Sequence, residues 1–234
     1  MVERRGLTLL HVRPESTELN LAIVTRHPTA PETVFAEARE FFRARGSDWH
    51  LEVPKVWAAP FARLATRHGL IERAAAPGMV LLVSALRSPP SPPGFRVEVV
   101  RGRVAFHRFA TTAAAGFERP EFAGIERVPD FLGAPDLTMY VGYRSGVPVT
   151  TACRIDRLRV AHLLMVTTRP AARGHGYASA TTYRAAADGF EAGCRASWLR
   201  ATDAGIHLYE RLGYRTLESY RRWDASRSGR PPLG

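Results

Sequence analysis

The chain has 234 residues, 45% of them hydrophobic and 9% aromatic, enough apolar material for a full core and too much for a disordered or low-complexity protein. Lys and Arg outnumber Asp and Glu by 33 to 22, giving a formal net charge of +11, yet Lys55 is the only lysine and no block of consecutive cations appears; attraction to polyanions at low salt follows, but a dedicated nucleic-acid surface is disfavoured. No apolar run is long enough to span a bilayer, Met-Val-Glu-Arg-Arg-Gly is not followed by a signal-type core, and Cys153 and Cys194 supply neither a disulfide framework nor metal-ligand spacing, so a cytoplasmic, soluble protein with reduced thiols and no metal is expected.

In chain order, Leu7 to Val12 and Leu19 to Thr25 read as strands about a turn at Pro14 to Thr17. Thr33 to Arg45 reads as an amphipathic helix, with Val34, Phe35, Ala38, Phe41 and Phe42 on one stripe and Gly46 closing it. Trp49 to Val53 is a strand, Ala58 to His68 a helix stopped by Gly69, and Ile71 to Val83 carries strand-like runs broken by Ala-Pro-Gly. Ser88-Pro-Pro-Ser-Pro-Pro-Gly94 favours extended polyproline geometry and reads as a semi-rigid linker. Beyond it come a strand at Phe95 to Val100, a helix at Val104 to Phe117, a loop rich in Pro and Gly at Glu118 to Pro135, and a hairpin of Thr138 to Tyr143 with Val147 to Ile155, turned at Ser-Gly.

Ala161 to Val166 is a further strand, ended by Pro170, and the alanine-rich segment from Tyr177 is a helix. Arg173-Gly-His-Gly-Tyr-Ala178 therefore sits where strand becomes helix. The first helical turn leaves its N–H groups unpaired at the positive end of the macrodipole, and Gly174 and Gly176 let the backbone approach an anion closely. Arg173 adds a planar cation at the rim. The physics predicts a phosphate or diphosphate cradle, although a glycine pair can also be no more than a turn.

Arg173-x-x-Gly176-x-Ala178 resembles the (Gln or Arg)-x-x-Gly-x-(Gly or Ala) acetyl-CoA loop of the GNAT acetyltransferase superfamily. A second segment, Trp198-Leu-Arg-Ala-Thr-Asp-Ala-Gly-Ile-His-Leu-Tyr209-Glu-Arg-Leu-Gly213-Tyr214, is similar to that superfamily's later signature: a strand, a helix ending in Tyr-x-x-Leu-Gly-(Phe or Tyr), then closing strands. Thr202 stands where many members have Asn. The resemblance covers residues 95 to 224.

It implies an α/β fold with a mixed, mostly antiparallel central sheet flanked by helices, and direct transfer of an acetyl group from acetyl-CoA to an amine on a small molecule or peptide. It further implies Val166, Thr167 and Thr168 along the pantetheine arm, Arg173, Gly174, His175, Gly176, Tyr177 and Ala178 at the diphosphate, and Thr202 at a pantetheine amide. Tyr209 would lie beside the thioester sulfur and return a proton to the thiolate. The general base stays open: His162 is the titratable side chain inside its strand, with His107, Glu98, Glu121, Glu126 and His175 as competitors.

Residues 1–87 faintly echo the order helix, Trp-bearing strand, helix seen after Tyr177. Between Thr25 and Thr33, however, they carry Arg-His-Pro-Thr-Ala-Pro-Glu, whose prolines cannot donate N–H groups to a phosphate. The expected division is a degenerate repeat at 1–87, a linker at 88–94, a catalytic domain at 95–224 and a flexible tail at 225–234. A homodimer fits this reading; a non-catalytic CoA-binding module of the same fold is the alternative.

Overall fold

The computed structural model describes all residues except 1, 5, 12–16, 18–19, 74–75, 129–130 and 226–234, and only the backbone of Glu121 and Glu218. Its strands and helices, in chain order, are β1 (Val2–Arg4), β2 (Leu7–Leu10), β3 (Leu21–Val24), α1 (Pro31–Arg43), β4 (Trp49–Pro54), α2 (Ala58–Arg67), β5 (Ile71–Arg73) and β6 (Pro77–Leu82). These are followed by β7 (Phe95–Val99), α3 (Gly102–Phe117), β8 (Leu137–Arg144), β9 (Val147–Arg157), β10 (Val160–Thr168), α4 (Tyr177–Glu191), β11 (Ala196–Arg200), α5 (Asp203–Arg211) and β12 (Arg215–Ala225). A short 3-10 helix at Pro120–Arg127 lies within the Pro- and Gly-rich segment after α3, where the sequence leaves room for one. The expected turn at Pro14 to Thr17 and the tail beyond Ala225 fall mainly outside the described residues.

The chain forms two compact units, one of residues 1–77 with 218–234 and the other of residues 78–217. In the first, β1, β2 and β3 run antiparallel in sequence, β3 is parallel to β4, and β4 and β5 flank the end of β12. The α1 stripe closes over this sheet: Phe35, Ala38, Phe41 and Phe42 are buried, and Phe42 stacks on Trp49 with centroids 5.1 Å apart. Fully burying each such aromatic side chain contributes about 2–3 kcal/mol. Pro31 opens α1 two residues before the predicted start, where its missing N–H costs nothing.

In the second unit the strand order is β6-β11-β10-β9-β8-β7, antiparallel except for β10 with β11. Strand alternation splits its apolar side chains between two faces. Tyr140, Ala152, Leu163 and Leu199 pack with Ala185 and Ala186 of α4, Tyr209 of α5 and Leu212 at its C-cap, whereas Met139, Val141 and Cys153 pack with Phe106, Phe109 and Ala113 of α3.

The units do not divide the chain at the Ser/Pro stretch. Gly78 to Leu82 pair with β11, so the strand before that stretch belongs to the second unit, while Tyr220 to Ala225 pair with β4 in the first. Ser88 to Gly94 lies inside the second unit. Sequence composition marks where a chain is extended and polar; it carries no information about which strand completes which sheet.

Candidate active site

β10 and β11 pair in parallel from Val160 with Ala196 to Leu163 with Leu199, and there the pairing stops. β10 runs on to Thr168 along β9, whereas β11 ends at Arg200, so the two strands part in a fork. An irregularity in the β9 pairing between Leu164 and Thr167, with Met165 at φ +52°, reorients the strand at the fork. The β9 side of this stretch is occupied: Thr151 Oγ1 donates to Met165 O at 2.9 Å and Thr150 Oγ1 to Thr167 O at 2.7 Å. By alternation the peptide groups of Val166 and Thr168 turn the other way, into the fork. An extended amide-bearing chain can pair with them as an added strand.

Thr167 differs from its neighbours. Its peptide carbonyl is taken up by β9, and its side chain lies under α3, where a Cβ on Gly116 would stand 2.6 Å from Thr167 Oγ1. The last turn of α3 therefore rests directly on β10 with no side chain between.

At the end of the fork, Gly174 (φ +82°) and Gly176 (φ +80°) take left-handed conformations and Gly176 caps α4. The helical ladder starts with Ala180 N–H donating to Gly176 O at 3.0 Å, which leaves the N–H groups of Tyr177, Ala178 and Ser179 at the open first turn. His175 donates from Nδ1 to Arg173 O at 2.8 Å and stacks on Tyr177, which stacks in turn on Phe95. Pro92 Cγ is 3.7 Å from where a Gly176 Cβ would stand, so the Ser/Pro stretch borders this loop.

Arg173 is not a free cation at the rim. Its Nη2 donates to Gly116 O at 2.9 Å and Glu118 Oε1 at 2.8 Å, and its Nε donates to Thr168 O at 3.3 Å. These bonds fasten α3 to the strand-to-loop junction, and Thr168 O is one of the guanidinium's acceptors.

Across the fork, Thr202 is the exposed N-cap of α5 with no side-chain capping bond. Gly205 lies between its hydroxyl and the Tyr209 ring, its would-be Cβ 3.5 Å from Thr202 Oγ1 and 3.0 Å from Tyr209 Cε2. Tyr209 is 7% exposed and packs edge-to-face on Tyr214, whose hydroxyl shares a 2.7 Å hydrogen bond with Ser197 Oγ. Burial pushes the Tyr209 phenol up to about 12, so it is protonated at neutral pH.

His162 stands in register with Trp198 and Ile155, one pair before the fork opens, on the face opposite Leu163 and Leu199. Its ring is 4.6 Å from that of Trp198, and burial pushes its pKa down to about 4. It is neutral at pH 7 and a weak proton acceptor. The competing bases are engaged elsewhere: His107 pairs with Glu126 at 3.1 Å on the surface, Glu98 accepts from Arg96 at 2.6 Å, and His175 belongs to the loop. The Glu121 side chain lies outside the described residues.

Sequence reading missed Thr150, Thr151, Gly116, Glu118, Pro92 and Phe95 around this site. The adjacent threonines on β9 were a visible signal, since β-strand hydroxyls can cap a neighbouring strand; the others meet the loop only through tertiary packing. Among the described residues no group of His, Cys, Asp and Glu could hold a metal ion, and no helix is long and apolar enough to cross a membrane. Cys153 and Cys194 are unbridged and buried, and burial raises both thiols above their ordinary range.

Residues 107–214 match the acetyltransferase (GNAT) family model. The whole chain is similar to a solved GCN5-related N-acetyltransferase from Kribbella flavida, at 20% identity and TM-score 0.71 over 98% of this chain and 91% of that one. A GCN5-related N-acetyltransferase from Sphaerobacter thermophilus is similar at 16% identity and TM-score 0.67, over 96% and 76%. A tandem GNAT protein from the clavulanic acid biosynthesis pathway aligns at 13% identity and TM-score 0.59, over 91% and 76%. At these identities the likeness establishes the fold, a mostly antiparallel sheet between helices. No curated protein matches the sequence.

Proposed function

We propose that this protein, whose residues 107–214 match the acetyltransferase (GNAT) family model, transfers the acetyl group of acetyl-CoA to a primary amine. The observation that carries the reading is the fork: it turns the Val166 peptide and the Thr168 N–H away from β9 and ends at the first-turn amides of Tyr177, Ala178 and Ser179. A pantetheine arm has amides to pair with the first, and a diphosphate fits the second, where glycine at 174 and 176 leaves no Cβ in the way. Thr202 offers its hydroxyl to the arm from the opposite side.

Bound acetyl-CoA supplies the thioester carbonyl that a neutral amine attacks and the thiolate that departs. The chain's residues orient and charge-stabilise that exchange. Tyr209 is suited to hydrogen-bond the developing thiolate; its raised pKa favours donating a hydrogen bond over surrendering the proton outright. His162, held neutral, can accept a hydrogen bond and is a poor base, so water is the simpler route for the ammonium proton. The first unit reads as a copy of the strand-helix-strand-helix order without a cradle, because α1 begins at Pro31 and its approach holds Pro28 in place of glycines.

Calorimetry with CoA and turnover of acetyl-CoA against a panel of amines test this. Binding with release of free thiol in the presence of one amine class is expected. Tight binding with no turnover by any amine would favour a non-catalytic CoA-binding module, and no binding would refute both. Replacing Tyr209 by Phe should lower kcat about 10- to 100-fold with little change in the acetyl-CoA KM; an unchanged kcat removes Tyr209 from the chemistry.

A further inference from the structure

Glu118 terminates α3 in the left-handed region, at φ +56°, ψ +34°. This is the position where helices commonly place glycine, because a Cβ there crowds the following carbonyl. The backbone is nonetheless closed as a helix end, with Arg119 N–H donating to Ala114 O at 2.9 Å and Glu118 N–H to Ala115 O at 3.3 Å. A glutamate is held where glycine would be more comfortable, and its carboxylate is engaged: Glu118 Oε1 accepts from Arg173 Nη2 at 2.8 Å.

The same Arg173 nitrogen reaches Gly116 O at 2.9 Å, and Arg173 Nε reaches Thr168 O at 3.3 Å. Arg173 is the residue from which the glycine loop departs, and its own carbonyl is bonded by His175 inside that loop. Its N–H is also taken, donating to Pro170 O at 3.2 Å. Every one of these bonds fixes the loop's point of departure. Nearby, Arg169 Nη2 approaches Thr112 Oγ1 at 3.5 Å, a second link between α3 and the end of β10.

We infer that Glu118 is a positioning residue for the cofactor: through Arg173 it sets the orientation of the Gly174–Gly176 loop against β10, so that the amides of Tyr177 to Ser179 meet the diphosphate. This rests on the proposed CoA site and specifies what holds it in shape. The carboxylate acts through the guanidinium and does not itself touch the cofactor; its negative charge would repel a phosphate if it did.

The consequence is a separation of stability from affinity. Glu118→Gly relieves the left-handed strain, so the melting temperature should stay level or rise, while the CoA Kd, measured by calorimetry on the full chain, should weaken about five-fold as one net hydrogen bond to the loop anchor is lost. Glu118→Gln keeps an acceptor oxygen for Arg173 and should restore affinity to within about two-fold of the unaltered chain. An unchanged Kd in Glu118→Gly, a Kd that weakens together with a fall in melting temperature, or a Gln variant as weak as the Gly variant would each overturn the inference. Failure of the unaltered chain to bind CoA is a separate outcome, and it would overturn the proposed function instead.

Discussion

Burial holds the His162 imidazole neutral down to about pH 4, whereas in the unfolded chain an imidazole takes its proton near the ordinary value of 6.5. Between those pH values the unfolded state binds more protons than the folded one, so stability rises with pH across the window and is lost as pH falls through it. The full span is on the order of 3 kcal/mol, a substantial part of a typical folding free energy. Replacing His162 by Phe keeps a ring against Trp198 and removes the titration. Urea unfolding at pH 8 should then change by less than about 1.5 kcal/mol, and the decline between pH 6.5 and 4 should flatten; an unaltered decline would mean that other groups cause it. His162 and Arg173 also mark where residue chemistry was legible in sequence and where it was not. His162 was identifiable as a titratable group inside an apolar strand and Arg173 as a cation at the strand-to-loop junction. What each one does is decided by the neighbours that folding brings to it: Trp198 and partial burial for the imidazole, Glu118 and two carbonyls for the guanidinium.

The glycine loop and α4 were legible because their local chemistry agrees with their structure: two glycines at positive φ, then an alanine-rich helix. The connection from β9 to β10 was not. Its two residues, Leu158 (φ +51°) and Arg159 (φ +60°), form the kind of two-residue hairpin turn that normally calls for Asn-Gly, and neither residue signals it. Leu158 is 97% exposed, so no apolar contact offsets its strain; Arg159 Nε donates to Gly193 O at 3.3 Å. Exchanging Leu158-Arg159 for Asn-Gly should relieve about 1–2 kcal/mol of left-handed strain and give up a weak exposed hydrogen bond. The expected net gain is about 1 kcal/mol, seen as a melting temperature roughly 2–4 °C higher. A lower melting temperature would show that the Arg159 contact outweighs the strain. The hairpin forms despite its turn because the strands it joins are strongly specified, with Ala161, Leu163, Ala152 and Cys153 all buried.

At the scale of the whole molecule, a composition boundary and a structural boundary have come apart. The Ser/Pro stretch looks like a place to divide the chain, yet the strand just before it supplies Met79 and Leu81, 0% and 1% exposed, to the core shared with Leu199, Tyr209 and Leu212. That strand also pairs with β11 from Gly78 to Leu82, and β11 is one arm of the fork. Arg87 N–H, farther along, donates to Leu212 O at 3.0 Å at the end of α5. A chain truncated to residues 88–234 should therefore lose CoA binding, because β11 would be left as an unpaired edge beside an exposed apolar core. Truncation after Leu217 is the reciprocal case. It removes Trp223, 2% exposed, from the core of the first unit, along with the Tyr220 to Ala225 pairing on β4 and the Asp224 carboxylate that Arg73 and Arg222 contact. That deletion should unfold residues 1–77, visible as rapid proteolysis there, while residues 78–217 keep their own strands and their CoA-dependent thermal shift. If residues 88–234 bound CoA as the full chain does, β6 would be dispensable to the fork, and the Ser/Pro stretch would be a functional boundary after all.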